Sequence, residues 1–287
     1  MKAAKTLRSL MQKGVVLVPG VWNCLSAQMA ETMGFEALYM PGSTISVTYV
    51  GKPDYAYITQ TEMLEMAERV ARVVNVPLCV DIDDGFGNPL NVQRTIEICQ
   101  KIGVAAVQIE DMVPPKRCAN VGGGHLGPAE AMVAKIRSAK DAKEDQDFIV
   151  IARTDNYEGI DELIRRGRLY AEAGADMLYP VGALTREDFK RISTEVPLPL
   201  MDTPLGGGKS PVFSLTESQE LNIRLSVYSL DPFATAYRGL MSFLEELNKL
   251  HTHRENIMPL EYGIPAMEDF YKICNLDKTE QSVAKYF

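Results

Sequence analysis

Short apolar runs alternate with amphipathic stretches along almost the whole chain. Eight runs are strand-like: VVLVPG (15–20), EALYMPG (36–42), LCVDID (78–83), AAVQIED (105–111), FIVIARTD (148–155), ADMLYPV (175–181), LPLMDTP (198–204) and IRLSVYSL (223–230). Each is short and bounded by turn residues. The segments between them, beginning with NCLSAQMAETMG behind Asn23 as N-cap, carry apolar residues at helical spacing, as do TEMLEMAERVARVV, VQRTIEICQKIG, PAEAMVAKIRSAKDAKE, DELIRRGRLYAEAG, TREDFKRIST and SLTESQELN. PFATAYRGLMSFLEELNKL reads as a long closing helix. In MGFEA, IGVAA and AGADM a glycine marks the helix end just before a strand, where a positive φ is needed.

Eight such alternations predict an α/β fold, a single (β/α)8 barrel of the TIM type over residues 1–250. An open Rossmann-like sheet is the second choice, and no G-x-G-x-x-G follows the first strand to support it. Residues 251–287 form a C-terminal extension, helical near its end, expected to pack on a partner subunit or on its own barrel.

Composition narrows the function classes. The chain has 287 residues, 46% hydrophobic and 24% charged, enough to bury a large core. A net charge of −8 and the lack of a Lys/Arg block argue against a nucleic-acid partner. The first residues, MKAAKTLRSLMQKG, suggest an amphipathic helix without the apolar core of a signal peptide, and no stretch of 18 apolar residues suggests a membrane span. The five cysteines, Cys24, Cys79, Cys99, Cys118 and Cys274, lack metal-ligand spacing; all but Cys118 are expected to be reduced core thiols. A cytoplasmic protein is expected.

The candidate chemistry lies at the strand ends, where barrels of this type build their sites. The third run ends in Asp81, Asp83 and Asp84 and the fourth in Glu110 and Asp111. Clustered carboxylates repel one another unless a cation or proton lies between them. By the period-two rule Asp81 and Asp83 both face the barrel axis, with Asp84 turned away or opening the loop. Oxygen-only donors select Mg²⁺ or Mn²⁺ over zinc. Arg153, ending the fifth run, is expected across the ring as a clamp for a substrate carboxylate or enolate oxygen, or else paired to one of these acids. Gly42, Ser43 and Thr44 offer backbone N–H groups and hydroxyls to a second substrate carboxylate, or form an ordinary turn. Lys116, Arg117 and Cys118 precede three glycines and then His125. Basic neighbours suit a thiol to proton exchange near neutrality, and His125 is either a further substrate contact on closure of the loop or a solvated side chain.

These residues resemble the isocitrate lyase/phosphoenolpyruvate mutase superfamily, most closely its 2-methylisocitrate lyase branch. The resemblance runs over roughly residues 5–250 and rests on VDIDDGFGNP, the IED run, PKRC, IARTD and AGADMLYP, in order at strand ends. It implies a Mg²⁺-dependent barrel enzyme acting on 2-hydroxy or 2-oxo acids through an enolate. Asp81, Asp83 and Glu110 would hold the metal, with Asp54 a further acid nearby. Tyr39, Ser43 and Thr44 would surround the bound acid, Arg153 would bind its carboxylate or enolate oxygen, and Cys118 would be the general acid. A homo-oligomer, dimer or tetramer, with an exchanged C-terminal helix is also implied.

The chain departs from the lyase pattern in three places. Cys118 and His125 are separated by Ala119-Asn120-Val121-Gly122-Gly123-Gly124, where lyases carry Cys-Gly-His contiguously. Val181 follows Pro180 where lyases place Glu, and Met201-Asp202-Thr203-Pro204 replaces a more polar run. Val181 and Met201 predict a more apolar pocket, hence a substrate with fewer carboxylates or an alkyl substituent. The leading expectation is a carbon–carbon lyase. The alternatives are a phosphonopyruvate or carboxyphosphoenolpyruvate mutase-type enzyme, an oxaloacetate hydrolase or decarboxylase, and a non-catalytic metabolite-binding barrel.

Overall fold

The computed structural model describes residues 2–113, 116, 124–182, 184–204, 211–250 and 267–286. The strands are β1 (Val16–Pro19), β2 (Leu38–Met40), β3 (Leu78–Asp81), β4 (Ala106–Glu110), β5 (Ile149–Asp155), β6 (Met177–Val181), β7 (Leu200–Asp202) and β8 (Ile223–Tyr228). The helices are α1 (Lys2–Lys13), α2 (Cys24–Thr32), α3 (Gly42–Ile45), α4 (Gln60–Val73), α5 (Pro89–Lys101), α6 (Ala129–Asp141), α7 (Ile160–Ala173), α8 (Arg186–Glu195), α9 (Leu215–Glu220), α10 (Asp231–Leu250), α11 (Met267–Ile273) and α12 (Leu276–Tyr286).

The strands pair in parallel in the order β1-β8-β7-β6-β5-β4-β3-β2, and a bridge between Gly20 and Tyr39 brings β1 to β2. This is the nearly closed (β/α)8 barrel that the alternation predicts. Strand residues alternate between two cores. Leu38, Val80, Val107, Val150, Leu178 and Leu200 face outward onto the helices. Cys79, Ala106, Ile151, Met177, Met201 and Leu225 face inward, and Ala4, Leu7 and Met11 of α1 join them. Arg8 of α1 donates to the carbonyls of Asp147 and Phe148 and to Asp176, just ahead of β5 and β6. The amphipathic first helix therefore plugs the N-terminal mouth, and the polar inward residues gather at the other end.

Local sequence explains the punctuation. Asn23, Thr59, Asn88, Thr185 and Ser214 cap α2, α4, α5, α8 and α9 in reciprocal capping boxes, each cap worth about 1 kcal/mol. The glycines expected at helix ends, Gly34, Gly103 and Gly174, have φ of 89°, 89° and 106°.

Some expectations need correction. The stretch after β2 is not a simple turn: α3 runs into a π-helical turn over Ser46–Val50, closed by Gly51 at φ 63°. Cys274 is exposed and Cys24 half-buried, so among the described residues only Cys79 and Cys99 are core thiols, and burial pushes both up to about 12. Among the described residues no helix is long and apolar enough to cross a membrane.

Candidate active site

The C-terminal end of the barrel is where the buried acids meet. β3 stops at Asp81, and the chain then turns sharply, with Asp83 at φ 49°, Gly85 at 87° and Phe86 at 61°. The period-two expectation for Asp83 therefore fails, because a left-handed residue does not continue the pleat. Asp83 still reaches the site. Its N–H donates to Asp81 Oδ1 (3.0 Å), and its carbonyl accepts from Glu110 N–H (2.8 Å). Asp84 turns away and pairs with Lys135 (3.0 Å).

Gly42, at the start of α3, closes over the same acids. Its N–H donates to Asp81 Oδ2 (3.1 Å), so it orients a carboxylate of the protein, contrary to the expectation of a free donor for substrate. A Cβ there would lie 3.1 Å from Asp83 Oδ1 and 3.2 Å from Asp81 Oδ2. Half-buried Ser43 follows, and Thr44 turns its hydroxyl back to the Pro41 carbonyl (3.0 Å).

Two cations serve these acids. Lys116, 4% exposed, contacts Asp83 Oδ1 directly, with Asp54 Oδ1 at 3.3 Å and Glu110 Oε1 at 3.7 Å. Arg153 lies beside Glu110, not across the ring, because β4 and β5 are neighbours and the two residues are register partners. Its guanidinium approaches Glu110 Oε2 (3.0 Å), grips Asp155 through Nε (2.8 Å) and Nη2 (3.1 Å), and lies 5.7 Å from the Tyr179 ring centre. Both oxygens of fully buried Glu110 lack a hydrogen bond, their contacts being ion pairs alone.

Burial dominates the electrostatics. It pushes Glu110 up to about 8 and Asp83 up to about 6, against the downward pull of Lys116 on both. Burial alone would discharge Lys116, but Glu110, Asp83, Asp81 and Asp54 hold it well above the usual lysine range. Burial, then Asp81, raises Tyr39, whose hydroxyl donates to Gln108 Oε1 (2.6 Å).

The donor set fits a hard cation in kind: oxygen only, buried, with two carboxylate oxygens unclaimed by hydrogen bonds. Among the described residues no three such side chains are placed to hold a metal ion, because Asp54, Asp83 and Glu110 gather around the Lys116 ammonium instead. The acids are spread around Lys116.

Of the remaining candidates, Arg117 and Cys118 lie outside the described residues. His125 is exposed, and its carbonyl accepts from Val113 N–H (3.0 Å). Asp111, grouped with the acids by sequence, faces outward and accepts from Tyr170 (2.6 Å), Thr154 (2.8 Å) and Arg166 (3.0 Å). Met201 lies fully buried in the inward core, so it cannot line a pocket as expected; half-buried Val181 can. Sequence reasoning missed Gln108, a polar residue inside an apolar strand and fully buried, and the Tyr179–Thr203 hydroxyl pair (2.5 Å). The polar interruption in AVQIE was the signal available for the former.

The chain matches the family described as phosphoenolpyruvate phosphomutase over residues 7–248. It is 37% identical over 237 residues to a 2,3-dimethylmalate lyase of Eubacterium barkeri, covering 82% of this chain and 81% of that one. A 2-methylisocitrate lyase of Aeropyrum pernix is 36% identical over 252 residues, covering 87% and 81%. Among solved structures, a phosphonopyruvate hydrolase in complex with oxalate and Mg²⁺ aligns with a TM-score of 0.87 at 26% identity, covering 100% of this chain and 99% of that one. The chain belongs to the phosphoenolpyruvate phosphomutase family, within the isocitrate lyase/phosphoenolpyruvate mutase superfamily of lyases and mutases.

Proposed function

We propose that this chain is a Mg²⁺-dependent carbon–carbon lyase that cleaves a 2-hydroxy acid of the methylisocitrate or alkylmalate kind through an enolate. The observation that carries this reading is Glu110, a fully buried carboxylate without hydrogen bonds, set between Arg153 and Lys116 at the barrel mouth. The lyase names of two relatives more than 30% identical support it. Asp81, Asp83 and Glu110 would hold the cation, with Mn²⁺ an acceptable substitute. Once bound, it supplies Lewis acidity toward the substrate's oxygens.

The chain's own groups do the rest. Arg153, fixed by its two bonds to Asp155, binds the substrate carboxylate and offsets negative charge growing on oxygen. Tyr39, Ser43, Thr44, Asp54, Arg117 and His125 surround the bound acid. The hydroxyl proton passes to solvent, the carbon–carbon bond breaks with its electron pair left on the departing carbon, and the products are a 2-oxo acid and a carboxylate-stabilised enolate. Cys118 protonates that second fragment. Val181 leaves the pocket apolar where lyases carry Glu, so the substrate has fewer carboxylates or bears an alkyl group. Val181→Glu should shift preference toward the more carboxylated acid; unchanged preference would remove Val181 from the pocket.

Proton NMR of the protein with Mg²⁺ and a panel of acids tests the reaction: 2-methylisocitrate, alkyl-substituted malates, oxaloacetate and phosphonopyruvate. A 2-oxo acid plus a second carboxylic acid, lost in both Asp83→Ala and Cys118→Ser, is the expected result. Turnover that needs Asp83 but survives Cys118→Ser moves the chain to the hydrolase, decarboxylase or mutase side. The altered Val181 position and the similarity to a phosphonopyruvate hydrolase favour that side as the second reading.

We further propose a homo-oligomer, dimer or tetramer, built through α10. A reducing, cytoplasmic setting suits the free cysteines Cys24, Cys79, Cys99 and Cys274.

A further inference from the structure

The acids of the site converge on an ammonium. Asp54 comes from the loop before α4, Asp83 from the turn after β3 and Glu110 from the end of β4, and all three lie within 3.7 Å of Lys116 Nζ. Arg153 is committed to Asp155 and Glu110, which leaves Lys116 as the counter-ion of Asp83 and Asp54. The described acids form no ready ligand cluster, yet the Glu110 oxygens stay without hydrogen bonds beside the ammonium. A hard cation and an ammonium compete for the same oxygens, since the cation needs them at about 2.0–2.1 Å in a closed shell.

We propose that Lys116 is the stand-in cation of the metal-free site and that a divalent metal enters by displacing its ammonium from Asp83 and Asp54. This rests on the metal-site reading above. In the metal-free chain Lys116 keeps the buried acids from facing one another uncompensated, which would otherwise cost the fold. On loading, the same charge is released at the barrel mouth, where it can meet an anionic substrate. Metal before substrate is the order this exchange imposes. Lys116 thus lowers metal affinity while protecting the empty site.

The test uses the full chain with Mn²⁺ as the probe. Free Mn²⁺, counted by electron paramagnetic resonance, gives Kd for the wild type and for Lys116→Met. The variant should bind roughly tenfold more tightly, since a positive charge no longer contests the site, and should lose thermal stability only in the absence of metal. A short acetylation pulse read by mass spectrometry follows Lys116 in the wild type itself, with exposed Lys101 as internal standard. Lys116 should be protected without metal and modified at saturating Mn²⁺. Equal protection in both states, or an unchanged or weaker Kd in a folded variant, overturns the displacement. If Lys116→Met does not fold, the acetylation result decides alone. Failure of the wild type to bind Mn²⁺ overturns the metal-site reading and this inference with it.

Discussion

At Asp202 a carboxylate is buried on the outer side of β7, opposite Ser226 of β8, with Oδ1 lacking any hydrogen bond. Burial pushes it up to about 6, although Ser226 pulls the other way. Between about pH 4 and pH 6 the folded chain thus holds a proton that the unfolded chain has lost. Stability then falls as pH rises through that window, by up to about 3 kcal/mol, and the loss is complete above it. Asp202→Asn should be close to wild type in urea unfolding at pH 4.5 and more stable at pH 7.5. An equal difference at both pH values would mean that the ionised carboxylate has a partner. Gly42 is a second residue whose chemistry is mostly space. Its N–H orients Asp81, and an added methyl would press on oxygens 3.1 and 3.2 Å away. Gly42→Ala should keep the fold and weaken Mn²⁺ binding several-fold; undiminished affinity would detach Gly42 from the cage.

Among the elements, all eight strands were legible because each is a short apolar run bounded by turn or polar residues, as a buried parallel strand requires. The acids at the ends of β3 and β4 were legible for the same reason. The Gly42–Val50 stretch was not. STISVTYV is rich in β-branched residues that disfavour helix, and contacts such as Gly42 to Asp81 and the Ser46 hydroxyl to Pro53 override that preference. Nor could a loop lysine be seen to reach three acids, since that convergence exists only once the barrel has closed. The β3–α5 turn shows how tightly tertiary packing dictates local form. Gly85 has φ 87°, and a Cβ would lie 2.4 Å from Val92 Cγ2 and 3.1 Å from Ile109 Cδ1. Gly85→Ala should cost about 3 kcal/mol, strain and overpacking together. Gly51→Ala shares the positive φ but meets nothing within 4 Å, so it should cost only about 1 kcal/mol. Similar urea midpoints for the two variants would show that Val92 yields without cost.

At the level of the whole molecule, the eighth helix of the barrel is out of place. A (β/α)8 chain covers the outer faces of its last and first strands with its last helix. Here Leu17 on β1 and Tyr228 on β8 are 38% and 36% exposed, whereas outward residues such as Leu38 and Leu178 are fully buried. α10 meanwhile starts at the Trp22–Phe233 edge contact (5.3 Å) and exposes Tyr237, Leu240, Met241, Leu244 and Leu247 at three- and four-residue spacing. Among the described residues, an apolar stripe without a groove and a groove without a helix satisfy each other if two copies exchange α10 reciprocally. Such an exchange is isologous and closes on itself, so it yields a discrete oligomer rather than a fibre. Light scattering coupled to size exclusion should therefore find a dimer or a tetramer at micromolar concentration. Leu240→Glu combined with Leu244→Glu should release monomers that keep their far-ultraviolet helical signal, because neither side chain is part of the barrel core. A monomeric wild type, or a double variant that stays associated, would mean that some other surface covers α10.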